Sequence, residues 1–153
     1  MPEKDATRRE FLTDEEEQGV REAQARQSGA GEADAAHLVL GRRGEKLACR
    51  LLWRRGFRIV ARNVHAGRGE IDIVAERAGR VHFVEVKTRS SGGMGRPEER
   101  VDAAKRQRLK TAAAAYLDEF GAQPPDGSQF DVVSLVVGPG GRVVEEELLE
   151  NAF

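Results

Sequence analysis

The chain has 153 residues, of which 39% are apolar and 33% charged, enough for one ordinary domain and short for two. A single cysteine, Cys49, excludes an internal disulfide and a multi-cysteine zinc site, and no apolar run approaches the roughly 20 residues of a membrane span. With no apolar signal core in "MPEKDATRREFLTDEEEQ", a reducing, cytoplasmic protein with no membrane contact is expected. The net charge of −1 conceals a segregation: residues 1–40 sum to −5, residues 41–110 to +11 and residues 111–153 to −7. A basic block between acidic ends suits either a local polyanion-binding surface or a solvated helix face with strand-edge charges.

Residues 1–36 carry few large apolar side chains and the small-residue stretch "QSGAGEADAA". They are expected to form a disordered or loosely helical acidic tail, leaving a folded domain over 37–153. In "LVLGRRGEKLACRLLWRRG" the helical spacing of Leu47, Ala48, Leu51 and Leu52 predicts a helix that stops at Gly56. Strands are expected over 57–63, 69–77 and 80–88, the last two joined by a turn at Ala78-Gly79. After the loop "SSGGMGRP", Pro97 fits the first turn of a second helix running to Gly121. "QFDVVSLVV" (129–137) reads as a buried strand, "GPGG" as a turn, "RVVEEE" as a final strand, and "LLENAF" as a tail able to pack back on the domain. The order is α-β-β-β-α-β-β, an α/β protein with a mixed sheet flanked by helices.

Charges inside the hairpin "RGEIDIVAERAGRVHFVEVKT" cost free energy unless something compensates them. With a two-residue loop at Ala78-Gly79, Asp72 should face Glu85 and Glu70 should face Lys87, all four on one side of the sheet. Ile71, Ile73, Val84 and Val86 then fall on the other side, taken as the core. Two carboxylates with Cβ atoms about 4.5–5.5 Å apart repel, so a cation is expected between them. A divalent metal ion is one candidate; an ion-pair ladder with a Glu70–Lys87 rung is the other. Glu45 lies on the helix side of Gly41, Gly44, Ala48 and Leu52 and is expected to point inward, although a glutamate near a helix start also favours the dipole. Lys105 falls between Val101 and Leu109 on an apolar stripe, where a lysine can snorkel.

The remaining chemistry-bearing residues carry bland expectations. His37, His65 and His82 lack partners at metal-ligand spacing and read as structural or surface residues. Cys49 reads as a buried, inert thiol, Tyr116 as core, and Asp131 as an ion-pair or turn partner.

Asp72, twelve residues, then Glu85-Val86-Lys87, preceded by a helix glutamate at Glu45, resembles the PD-(D/E)XK signature of restriction-endonuclease-like folds and archaeal Holliday junction resolvases. "GRRGEKLA", "RNVHAGRGEIDIVA", "VHFVEVKTR", "GRPEERV", "AAKRQRL", "FDVV" and "NAF" resemble the bacterial YraN family over Gly41 to Phe153. Ile71 stands where the short motif has proline. The resemblance implies a restriction-endonuclease-like mixed sheet and an Mg²⁺- or Mn²⁺-dependent endonuclease acting on DNA, branched or single-stranded, in preference to RNA. It implies Asp72, Glu85 and the Val86 carbonyl as metal ligands, Glu45 holding metal or water, and Lys87 acting at the attacking water or the scissile phosphate. Arg68, Arg89, Arg96 and Lys105 are then the phosphate contacts, and a homodimer is expected if four-way junctions are cut. The alternative is a non-catalytic nucleic-acid-binding accessory module on the same fold; a protein-binding scaffold is the third reading.

Overall fold

The computed structural model describes residues 32–92, 102–120, 124 and 126–153. Helix α1 spans Glu32–Arg54, strand β1 Arg58–Ala66, β2 Gly69–Arg77 and β3 Arg80–Ser90. Helix α2 follows over Ala103–Glu119, then β4 Ser128–Val137, a short 3₁₀ turn at Pro139–Gly141 and β5 Val143–Leu149. The expected element order holds. Three boundaries shift by three residues or more, and β1 runs on from the expected 63 to Ala66. Glu32–Ala36, grouped with the tail by composition, form the first turn of α1. The second helix begins at Ala103, because Asp102 is extended (φ −66°, ψ 167°) and its carboxylate accepts from the Lys105 N–H as an N-cap. Pro97 lies outside the described residues, and so does the tail before Glu32.

The five strands lie in sequence order across one mixed sheet. β1, β2 and β3 form an antiparallel meander, β3 and β4 are parallel, and β5 returns antiparallel beside β4. A parallel β3–β4 pair requires a crossover, and α2 supplies it. The expected hairpin register is present from Arg77↔Arg80 to Ile73↔Val84. Ala78 and Gly79 both have positive φ (51° and 76°), as a two-residue turn of the primed type demands.

Helices cover both sheet faces, so there are two cores where the strand pattern suggested one. Under α1, Ala48, Cys49, Leu51 and Leu52 pack on Phe57, Ile59, Ile73, Val84, Val133 and Leu135. Under α2, Ala112, Ala113 and Tyr116 pack on Ala66, Ile71, Val74, Val81 and Phe83. Ile71 and Ile73 therefore serve opposite cores, against the simple alternation of a strand. The reversal falls at Asp72 and at Asn63, whose φ of 49° is left-handed, between the rungs Arg62↔Ile73 and Val64↔Ile71. The two rungs are two residues apart on both strands, so the change of face occurs without a slip in register.

Two glycines let the helices approach closely enough to fix the strand ends. A Cβ at Gly44 would lie 1.8 Å from Thr88 Oγ1, so α1 rests directly on the end of β3. A Cβ at Gly69 would lie 2.8 Å from the Ala112 methyl and 3.1 Å from the Arg108 carbonyl oxygen, so the start of β2 rests on α2. Phe153 packs back on the domain as expected, stacked on Phe130 at 5.1 Å, while the Ala152 N–H donates to the Phe130 carbonyl.

Candidate metal and phosphate site

The ladder between β2 and β3 stops at Ile73↔Val84. Beyond it, the start of β2 is held against α2 and the end of β3 against α1, so the two strands part into a fork. Asp72 occupies the fork. Its carboxylate accepts a hydrogen bond from the Val86 N–H at 2.9 Å, replacing a strand partner with a side chain. The expected Glu70–Lys87 rung is absent: Glu70 pairs with His65 on β1, and its charge acts on Glu45. Lys87 stays in the β3–β4 ladder opposite Ser134, two residues along the strand from Glu85 and therefore on the same face.

Asp72 and Glu85 do come together, and their carboxyls share a hydrogen bond. Burial first, then the Glu85 charge, and more weakly Glu45, push Asp72 from an ordinary 3.8 up to about 7; the Val86 N–H pulls the other way. Glu45 is half-buried, as its helix position suggested, and burial raises its pKa. A hydrogen bond with the Asn63 side chain and the nearby Arg62 and Arg42 charges partly offset that rise. Glu85 is 6% exposed and forms an ion pair with Lys105 from the first turn of α2. Lys105, expected to contact phosphate, is thus bound to a carboxylate here.

The surrounding cations divide. Arg68 is exposed in the β1–β2 turn, Arg89 is half-buried at the end of β3, and Arg96 lies outside the described residues. Lys105 answers the Glu85 charge and Arg62 and Arg42 act on Glu45, while Asp72, raised by burial first and by the Glu85 charge second, has the Val86 N–H as its stabilising partner. The donor set is hard oxygen, and a divalent cation of the Mg²⁺ or Mn²⁺ kind fits it. Glu45 acts on Asp72 through its charge, more weakly than Glu85 does.

A second polar cluster, unexpected from the sequence, lies at the opposite end of the sheet. His82 Nδ1 is 2.6 Å from Asp131 Oδ2, with His82 2% and Asp131 0% exposed. Asp131 Oδ1 accepts from Gln129 Nε2 at 2.8 Å and from the Asn151 N–H at 2.9 Å. Among the described residues, His82, Asp131 and Glu150 present ligand atoms all within 4.8 Å of one another. Geometry alone would favour this trio as a metal centre. Its oxygens are already committed, however: Asp131 has three partners and Glu150 pairs with Arg77. It reads as a structural anchor for the chain after β5. Asp131 is thus the ion-pair partner expected, and His82 is structural, brought to it by the parallel β3–β4 pairing.

An α/β protein with a mixed five-stranded sheet, two covering helices and an acidic fork between β2 and β3 is the class that fold and site define. Comparison with known proteins supplies the family. The model of Uncharacterised protein family UPF0102 matches residues 44–135. A UPF0102 protein of Symbiobacterium thermophilum is 46% identical over 114 residues, 74% of this chain and 95% of its own length. One from Solibacter usitatus is 46% identical over 115 residues (74% and 84%), and one from Porphyromonas gingivalis 40% over 119 (78% and 87%). The chain belongs to the UPF0102 family, which is the YraN family of the sequence resemblance. Among the described residues, no helix is long and apolar enough to cross a membrane.

Proposed function

We propose that the chain is a divalent-metal-dependent endonuclease that hydrolyses phosphodiester bonds of DNA at the β2–β3 fork. The observation that carries this reading is Asp72, half-buried beside Glu85 and raised to about 7, where a strand rung should have been. A buried carboxylate kept beside two others needs a reason, and sites with strongly perturbed carboxyls are often functional ones.

Asp72 and Glu85, with the Val86 carbonyl and Glu45 across a water, are the groups that would hold Mg²⁺ or Mn²⁺. When bound, the ion would neutralise the Asp72–Glu85 pair and make a water molecule more acidic. The chain's own groups supply the rest. Lys87, on the Glu85 face, places a cation beside the charge that grows on the scissile phosphate, or orients the attacking water. Val86 N–H fixes the Asp72 carboxylate, so the acceptor does not reorganise during the reaction. Arg68 and Arg89 flank the fork and offer donors to flanking phosphates.

The ion pair between Lys105 and Glu85 favours a second reading, a nucleic-acid-binding accessory module in which a lysine replaces the metal for good. A cleavage assay separates the two. Labelled duplex, single-stranded, flap and four-way-junction DNA would be incubated with Mg²⁺, Mn²⁺ or EDTA and with wild type, Asp72→Asn or Lys87→Ala. Metal-dependent cutting by wild type, reduced at least about 100-fold in both variants, is expected. Salt-sensitive binding with no cutting in any metal would establish the accessory module instead.

A further inference from the structure

Glu85 is almost completely buried, and the group facing it is not equally fixed. Its side chain is 7% exposed while that of Lys105 is 36% exposed. The Lys105 backbone is anchored, since its N–H is held by the Asp102 cap. The four-carbon stem beyond it is not, and a lysine head group is a compact, strongly hydrated charge on a flexible arm. One partner of the ion pair is therefore fixed in the fork, and the other is a cation able to leave it for water.

We infer that Lys105 is a positioning residue that holds the Glu85 carboxylate in the metal-free protein and is displaced when a divalent cation takes that oxygen. This rests on the proposed metal-dependent function and adds a step of regulation to it. The two cations compete for one oxygen of a buried carboxylate, so neutralising Lys105 strengthens metal binding. Lys105 keeps the buried Glu85 carboxylate from standing without a cation beside Asp72. Once released, its head group lies in solvent at the mouth of the fork, where a phosphate would approach. A direct consequence is that the Lys105 amine becomes more reactive in the metal-loaded protein. Lys110, exposed five residues further along α2, keeps a constant reactivity.

The test is calorimetric titration of Mn²⁺ into the full chain as wild type, Lys105→Met, Lys105→Arg and Asp72→Asn. Amine acylation at Lys105 and Lys110, with and without saturating Mn²⁺, is read by peptide mass spectrometry. Lys105→Met is expected to bind Mn²⁺ about five- to tenfold more tightly than wild type, with Lys105→Arg close to wild type. Acylation of wild-type Lys105 is expected to rise several-fold with Mn²⁺ while Lys110 stays level. If wild type binds Mn²⁺ in an Asp72-dependent way but Lys105→Met binds equally or more weakly, the displacement is wrong and the metal site stands. If neither wild type nor Lys105→Met binds Mn²⁺, both readings fall. Should Lys105→Met fail to fold, unchanged Lys105 acylation in wild type overturns the inference by itself.

Discussion

The two ends of the sheet each bury an aspartate, and they treat it in opposite ways. At the closed end, Asp131 is completely enclosed and accepts from His82, Gln129 and the Asn151 N–H. At the forked end, Asp72 is only half-buried, accepts from a single backbone N–H, and faces Glu85 and Glu45. The first arrangement spreads one charge over three donors and ties β3, β4 and the segment after β5 together. The second gathers like charges and is tolerable only if a cation or a proton joins them. Among the described residues, the fully partnered aspartate belongs to the scaffold and the under-partnered one to the candidate site.

The largest effect that distinguishes the two ends is on stability. Asp131→Ala strands His82, the Gln129 amide and the Asn151 N–H together, so urea or thermal unfolding should show a loss of about 3–5 kcal/mol. Mn²⁺ should not reverse that loss. Asp72→Asn should behave oppositely, and its sign follows from linkage. The folded-state pKa of Asp72 lies above the ordinary 3.8, at about 7. Its contribution to stability is then fully present below about pH 4 and is lost as pH rises through about 7. Metal-free wild type should lose about 2–4 kcal/mol from this group between pH 4 and 8, while Asp72→Asn should lack that component and be the more stable protein at pH 8.

Smaller effects sharpen the geometry. Gly44→Ala drives a methyl into Thr88 and should cost about 1–3 kcal/mol by pushing α1 off the end of β3. Because Glu45 is the next residue, Mn²⁺ affinity should fall in the same variant, which a calorimetric titration would detect. The Arg58–Glu76 pair, exposed at the edge of the sheet, is the control, and Glu76→Gln should change stability by under about 1 kcal/mol.

Much of this was legible in the sequence. The turn Ala78-Gly79 fixed the β2–β3 register as far as Ile73↔Val84, because a two-residue loop admits one pairing. It also brought Asp72 near Glu85, and the helical spacing around Glu45 correctly turned that side chain inward. The reading failed where regularity failed. Extending the same register to Glu70 and Lys87 assumed that the β2–β3 ladder continues past Ile73↔Val84; it stops there, and Asn63 on the neighbouring strand, between the rungs that bracket Asp72, is left-handed. Asparagine tolerates that conformation better than most residues, so Asn63 carried a hint, but nothing local says that a strand asparagine will use it. The second core had a clearer signal: on β2 and β3 the apolar residues Ile71, Ile73, Val74, Val81, Phe83 and Val84 exceed what one buried face requires. The link between His82 and Asp131 depends on parallel pairing across the α2 crossover, a long-range contact that no local pattern announces.

The most direct test of the central claim is thermal unfolding of the metal-free chain at pH 8 with increasing Mn²⁺, comparing wild type with Asp72→Asn. A ligand that binds only the folded state raises Tm with concentration. The fork predicts a Tm that climbs with Mn²⁺ in wild type and stays flat in Asp72→Asn, whose starting Tm is higher. Equal increases in both proteins, or none in wild type, would contradict a metal site built on Asp72.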